Sequence, residues 1–529
     1  MSRSSATQLA VAVVLVGVLG GALQLHKLAS IDASGREFAK TSNAQKVMFL
    51  LPFAFAKAMA NLVAGAVADD RGRRPVVAFG WCVGALAPAL GALAAALENG
   101  GFVALTISFA FLGASQGLTW TALVLAAIDI CGGAKRGFAS GLNETVGYTS
   151  IAAFAHVYGA MERRFVRCAW TTTTRSAACE RANVAQTCET PDDWRSACVG
   201  ACACRGYAGA PMYVELGMCA FGLALTVFAL KESLGRRRFA VGGWVNDTDD
   251  DDENGDKITA QGGMQKRGGE RDERGGSVAF ASARTETLRE AMYRTTWGNK
   301  STAVVCFAAF CSNFETAVAW GLMSVWARDQ LSLTGHQRDV FTACYSFMKG
   351  FTQLGSGMLS DKVGRKAPMA FGLIGGSFAL LIAVFGAGFR GYFTVGSTNP
   401  ERLKSAEYAA LTISSMLLGF CTGVTYPVLA AAAVDHAPDQ AHYAYTVGVV
   451  RFWRDLGYAM GVPLAAIADS SSTEVALILV AVFMLAAGVA VAKIYVEQIP
   501  TSANAGYVET LSEEPDELDQ SDVELSRYT

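Results

Sequence analysis

Charge is scarce in this 529-residue chain. Asp, Glu, Lys and Arg make up 17% of it and hydrophobic residues 52%, too few charges to cover a water-soluble globule of this length. The 44 basic and 46 acidic residues nearly cancel, to a net charge of -2, so no basic field exists to attract nucleic acid. A Gly-Lys-Ser/Thr phosphate loop, a zinc-ligand helix and a nucleophile signature are all missing. That argues against an enzyme, against ATP-driven work, and for neither cofactor nor metal. No cleavage site follows the first apolar run, Leu9 to Leu25, which therefore reads as a retained helix and not a removed signal peptide. The alternating pattern of barrel strands is absent as well, which excludes a membrane β-barrel.

Long apolar runs are what the chain does have. Twelve are near the ~20 residues that cross a ~30 Å hydrocarbon core: 8–26, 46–68, 75–97, 102–127, 137–160 and 212–230, then 301–326, 339–360, 367–389, 407–433, 443–467 and 475–495. Backbone groups in lipid need internal partners, so the expected fold class is an all-α membrane protein of twelve transmembrane helices in two pseudo-symmetric six-helix bundles. Residues 1–230 form the first bundle and 300–497 the second. Between them 231–299 is polar and glycine-rich with an acidic run from Asp247 to Asp256, and reads as a disordered linker. Near its end Leu288, Ala291 and Met292 could line one face of a short interfacial helix. The tail, 498–529, is acidic and is also expected to be disordered.

The halves repeat each other. Lys57, Asn61, Gly65, Asp69, Gly72, Arg73 and Arg74 recur 292 residues later as Lys349, Gln353, Gly357, Asp361, Gly364, Arg365 and Lys366. A second match, at an offset of 306, sets Gly113, Gly117, Thr119, Trp120 and Asp129 against Gly419, Gly423, Thr425, Tyr426 and Asp435. A third aligns Gly147-Tyr148, with Glu144 before them, with Gly457-Tyr458, preceded by Arg451, Arg454 and Asp455.

The two Gly-x-x-x-Asp-x-x-Gly-Arg-Arg/Lys loops, at matched places in twelve helices, resemble the loop signature of the major facilitator superfamily of transporters. The third match is similar to segments of a bacterial-type branch of it with poorly defined substrates. The resemblance spans both bundles and implies a secondary active transporter that moves a small solute by alternating access. It also implies an inner gate, with Arg73 on Asp129 and Arg365 on Asp435, helped by Asp69, Arg74, Asp361 and Lys366: a charged latch can form in one conformation and break in the other. Family geometry brings the fifth helix to the eighth and the eleventh to the second. Glu144 is then expected beside Lys349, and Asp455 beside Lys57, with Arg451 in the same coupling group. Two departures weaken drug-proton exchange: Gly113 stands where proton-coupled members often carry arginine, and the fifth helix lacks a Gly-Pro signature.

Lys57 and Lys349 each precede a loop aspartate by twelve residues, a rise of about 18 Å, so they sit near mid-membrane. A lysine there costs about 2.5 to 3.5 kcal/mol, and such charges mark pathways. Asn61 and Gln353 share their helix faces. Two cations at one cavity call for an anion, which makes Lys57, Asn61, Lys349, Gln353 and Arg454 the candidate substrate-binding set. The alternative is permanent neutralisation by Glu144 and Asp455. Glu315, beside Asn313, is a further coupling candidate or a helix-capping or packing residue. A neutral or cationic solute, or a membrane sensor that transports nothing, are the competing functions. The expected partners are a small-molecule substrate, a coupling proton or other ion, and the bilayer, with the chain a monomer.

Basic residues in the loops 70–74, 131–136 and 362–366 assign that face, and both termini, to the cytoplasm of a plasma or organelle membrane. The loop 161–210 then lies outside or in a lumen. Its Cys168, Cys179, Cys188, Cys198, Cys202 and Cys204 form an even set, which suggests disulfides in any of fifteen connectivities. With no His in the loop, zinc is the weaker reading. The other seven cysteines lie in or beside helices and are expected to pack.

Overall fold

The computed structural model describes residues 3–97, 100–131, 136–170, 202–205, 207, 209–233, 287–331, 333–388, 400–438 and 443–498. Six helical spans build the first half: α1 (Arg3–Arg36), α2 (Leu50–Arg71), α3 (Arg73–Ala96), α4 (Gly101–Cys131), α5 (Arg136–Phe165) and α6 (Ala210–Phe228). The second half has α7 (Lys300–Ala317), α8 (Gly335–Val363), α9 (Lys366–Ala383), α10 (Pro400–Asp435), α11 (Tyr443–Leu456) and α12 (Thr473–Ile494). Two of these spans are interrupted. α7 runs through a π turn, Val318–Leu322, into Met323–Asp329, and α11 through a 3₁₀ turn, Gly457–Met460, into Gly461–Ser470. At the second break Gly457 lies against the Phe310 carbonyl of α7, where no Cβ would fit.

Only seven of the described helices are long and apolar enough to cross a membrane on composition alone: α1, α3, α4, α6, α9, α10 and α12. The other five, α2, α5, α7, α8 and α11, carry Lys57, Glu144, Glu315, Lys349 and Asp455, each no more than 6% exposed. Their polarity is turned inward, which is how a charged helix is tolerated in a bilayer. The chain is a multi-pass integral membrane protein.

The repeated glycines mark where helices cross. Gly113 and Gly117 of α4 lie against the α2 backbone at Phe53 and Lys57, and Gly419 and Gly423 of α10 meet α8 at Tyr345 and Lys349 in the same way. Small residues let backbones approach, the main source of helix association where lipid is as apolar as leucine. Both lysines are thereby fixed at a helix crossing. Gly72 and Gly364 follow α2 and α8 with φ of 97° and 88°, a region that side chains with a Cβ avoid.

The halves meet along α5 with α8 and α2 with α11. Thr145 Oγ1 donates to the Gly350 carbonyl at 2.8 Å, and Gly448 rests on the α2 backbone at Asn61 and Leu62. At the face opposite the Gly-Arg loops, Arg338 of α8 reaches Asp32 of α1 at 2.9 Å, and Asp469 accepts from the backbone N–H groups of Asn43 and Ala44.

Two short strands, β1 (Arg167–Trp170) and β2 (Cys202–Arg205), pair antiparallel with Cys168 opposite Cys204. Cys179, Cys188 and Cys198 lie outside the described residues, as does most of 231–299 and all of 499–529. The other seven cysteines are unbonded, four of them buried, and no disulfide is supported among the described residues. The end of the linker forms a short helix, Leu288–Tyr293, that contains Leu288, Ala291 and Met292 and runs on through a π turn, Arg294–Gly298. A Thr287–Glu290 capping box starts it, and Arg294 anchors it to Thr446 of α11 at 3.1 Å.

Candidate functional site: a buried charge cluster between the halves

Asp455 is the hub of the centre. Its carboxylate takes Lys57 Nζ at 3.8 Å, Arg454 at 3.1 and 3.2 Å, Asn313 Nδ2 at 2.8 Å and Asn61 Nδ2. Asn61 Oδ1 accepts from Thr121, 2.6 Å away, and Thr121 accepts from Arg451 at 2.8 Å. Residues of α2, α4, α7 and α11 thus meet in one network. The expected neighbour of Lys57 is the one found.

Lys349 is a different case. Glu144, expected beside it, instead pairs with Arg451 at 3.8 Å and accepts from Trp120 Nε1 at 2.9 Å. The Lys349 ammonium donates to Thr316 Oγ1 at 3.1 Å and Tyr345 OH at 3.3 Å. Both hydroxyls also touch Glu315 Oε2, at 3.3 Å, where Thr422 donates at 3.0 Å. Glu315 is the carboxylate behind Lys349, one hydroxyl away. The faces of Tyr426 and Tyr148 lie 4.4 and 4.5 Å from Nζ, a cation–π geometry that stabilises a cation without cancelling its charge.

Lys57, Arg454, Glu144, Trp120, Tyr148, Tyr426 and Tyr458 line a small central cavity with room for about one water. Lys349 flanks this cavity through Tyr148 and Tyr426, whereas Gln353 lies a turn away, fully buried with neither amide atom hydrogen-bonded. The aromatic residues were not anticipated as cavity walls. Their signal was in the repeats: Trp120 matches Tyr426, and Tyr148 matches Tyr458.

The Gly-Arg loops also repeat in three dimensions. Arg73 Nε donates to Asp129 at 3.1 Å and Arg365 Nε to Asp435 at 2.9 Å; Arg365 adds Asp361 at 2.7 Å. Burial alone would lower the Arg365 pKa, but the Asp435 and Asp361 carboxylates outweigh it and raise it. The side chain of Asp69 lies outside the described residues. An unanticipated acid completes each loop. Glu232, after α6, accepts from the backbone N–H of Arg73 and Arg74 at 2.8 and 3.1 Å. Glu497, after α12, does the same for Arg365 and Lys366 at 2.6 and 2.9 Å. Each carboxylate sits on a helix N-terminus, where unpaired N–H groups and the dipole favour an anion.

A match to the Major Facilitator Superfamily covers residues 305–515. The second half of the chain thus matches this superfamily by sequence, and the fold along its whole length is similar to that of solved members. A solved structure of the E. coli fucose:proton symporter FucP has 12% identity and a TM-score of 0.55, over 92% of this chain and 98% of that one. The human organic anion transporter MFSD10 is similar at 12% identity and a TM-score of 0.58, over 93% and 100%. Among curated proteins no sequence match is found. The superfamily points to a transporter rather than an enzyme.

Proposed function

We propose that this protein is a secondary carrier that moves a small anionic solute by alternating access, its Gly-Arg loops on the cytoplasmic side. One observation carries the anion. Among the described residues Lys57, Lys349, Arg451 and Arg454 share one buried cluster with three carboxylates, Glu144, Glu315 and Asp455, so with all seven ionised one positive charge is left over. A single negative charge on a substrate would balance it, and buried charge that is not balanced is costly. The four rings around the cavity favour a solute with a flat apolar part beside its anionic group. That the structurally similar MFSD10 is an organic anion transporter agrees with this reading.

Arg73 with Asp129 and Arg365 with Asp435 serve as the latch on the loop face, and the Arg338 and Asp32 pair as its counterpart on the other. The even set of loop cysteines is read as disulfide-bonded, with Cys168 and Cys204 a candidate pair by register; mobility with and without reductant tests it. For the substrate, a thermal-shift screen sets small organic anions against neutral and cationic compounds, since whatever binds the folded state raises its melting point. Stabilisation by anions that is lost in Lys349→Gln, with that variant folded, supports the reading; stabilisation by cations alone refutes it.

A further inference from the structure

His26 of α1 and Glu215 of α6 form a second buried charge cluster, within the first half and apart from the central one. Both are 0% exposed. His26 Nδ1 lies 2.7 Å from Glu215 Oε2, and Nε2 lies 2.8 Å from Ser108 Oγ of α4. Ser108 settles the protons. Its hydroxyl donates to the Leu105 carbonyl at 2.6 Å, so its oxygen accepts, and Nε2 carries the hydrogen that it accepts. The remaining contact, Nδ1 to Oε2, then needs a proton of its own. Without it a ring lone pair would face a carboxylate oxygen at 2.7 Å in a site closed to water. With it the pair is either imidazole and carboxylic acid or imidazolium and carboxylate, net neutral in both forms.

We infer that His26 and Glu215 together hold one exchangeable proton, and that this is the coupling proton of the carrier. The inference rests on the carrier reading above for its second part only. Three placements support a coupling role. Glu215 is five residues into α6, about 7.5 Å along its axis, so the site lies near the face opposite the Gly-Arg loops and takes its proton from that side. His26 is one turn from Leu23, and Ser108 shares α4 with Trp120; Leu23 and Trp120 both line the central cavity, so a shift of α1 against α4 and α6 changes both sites together. Glu215 Oε1 has no hydrogen-bond partner, so a bare carboxylate charge is costly there and the proton is held until a rearrangement of the helices gives the site water or a new partner.

The other ionisable groups in these packed elements are few. Lys27 follows His26 on α1 and is itself buried, Cys219 is one turn beyond Glu215 on α6, and Asp32 and Glu162 are engaged by Arg338. The face of α3 toward α6 presents Gly84 and Gly91. On α5 Tyr158 donates to Asp32. The hydrogen bonds described for His26 and Glu215 are the ones to each other and to Ser108.

Infrared difference spectra of the full chain in lipid nanodiscs, stepped from acid to alkaline buffer, test the site without any substrate. The expected result is one buried titrating band, carboxylic acid or imidazolium, that disappears in Glu215→Gln. That variant keeps an N–H to donate to Nδ1 and so keeps the fold, but holds no exchangeable proton. An unchanged band in Glu215→Gln, or no such titration in the parent chain, overturns the site. Hydrogen exchange at α1 and at 335–345, compared between parent and variant at each pH, tests the coupling. A pH-dependent opening in the parent that is lost in Glu215→Gln supports it. The same pH dependence in both overturns it while leaving the carrier standing, and the absence of any opening in either overturns the coupling and the carrier reading together.

Discussion

Asp455 of α11 holds Lys57 of α2 at 3.8 Å, and through this contact a carboxylate of one half neutralises a cation of the other. The same carboxylate accepts from Asn61 and Asn313 and carries Arg454. Asp455→Ala would strand two cations and two amides in a dry centre. Breaking a buried pair from one side costs about 3 to 5 kcal/mol, and thermal unfolding in nanodiscs should read a loss of that order. Adding Lys57→Ala should cost less than the sum of the single changes, because the second change removes one of the stranded charges. Strict additivity would show that the pair is not coupled.

The twelve spans, the repeat and the latch partners were legible because each is local or is doubled. A lysine in an apolar run is visible at any register, and Asp129 and Asp435 are found by matching one helix to its copy. The partner of Glu144 was not legible. Arg451 and Lys349 are both cations on helices that reach the middle, and the choice between them depends on side-chain reach across an interface that no spacing encodes. Glu232 and Glu497 escaped for another reason: they follow α6 and α12, at places where a carboxylate looks like ordinary solvated charge. His26 and Glu215 lie 189 residues apart and have no copy in the second half to draw attention to them.

The acids after α6 and α12 give a direct stability prediction. Glu497 accepts two backbone N–H groups at the start of α9, and a carboxylate at a helix N-terminus contributes about 0.3 to 1 kcal/mol, up to about 2 where partly buried. Glu497→Gln should lower the melting point slightly, and Glu497→Ala more, since it removes the acceptors as well as the charge. Glu232→Ala should match it, because the geometry on α3 is the same. High salt should shrink the Glu497→Gln difference first.

Gly72 offers a matched comparison with Gly100. Both have positive φ, 97° and 82°, but a Cβ on Gly100 would meet nothing within 4 Å, whereas one on Gly72 would run into the Glu232 carboxylate. Gly100→Ala should cost only backbone strain, about 1 to 2 kcal/mol. Gly72→Ala should cost that and also displace Glu232 from the α3 N-terminus. In Glu232→Ala the two glycine substitutions should become nearly equal, which a double-mutant cycle by thermal unfolding measures.

Arg338 joins the two halves at the face opposite the loops, and on the carrier reading its removal should open that face. Its guanidinium reaches Asp32 of α1 at 2.9 Å, Asp339 at 3.5 Å and Glu162 of α5 at 3.9 Å, so one cation separates three acids, two of them in the other half. Arg338→Gln keeps the length of a polar side chain but leaves those acids to repel one another in a largely buried site, where like charges are least screened. The halves can relieve that repulsion by parting at this end, and the contact between Tyr158 and Asp32, both in the first half, would survive. Hydrogen exchange at 335–345 should rise in Arg338→Gln while exchange at the α2 and α11 contact near Gly448 does not. Adding Asp32→Asn should bring it back toward the parent value by removing one of the crowded charges. If Arg338→Gln instead raises exchange evenly over both ends, the pair holds the fold together and does not gate this face.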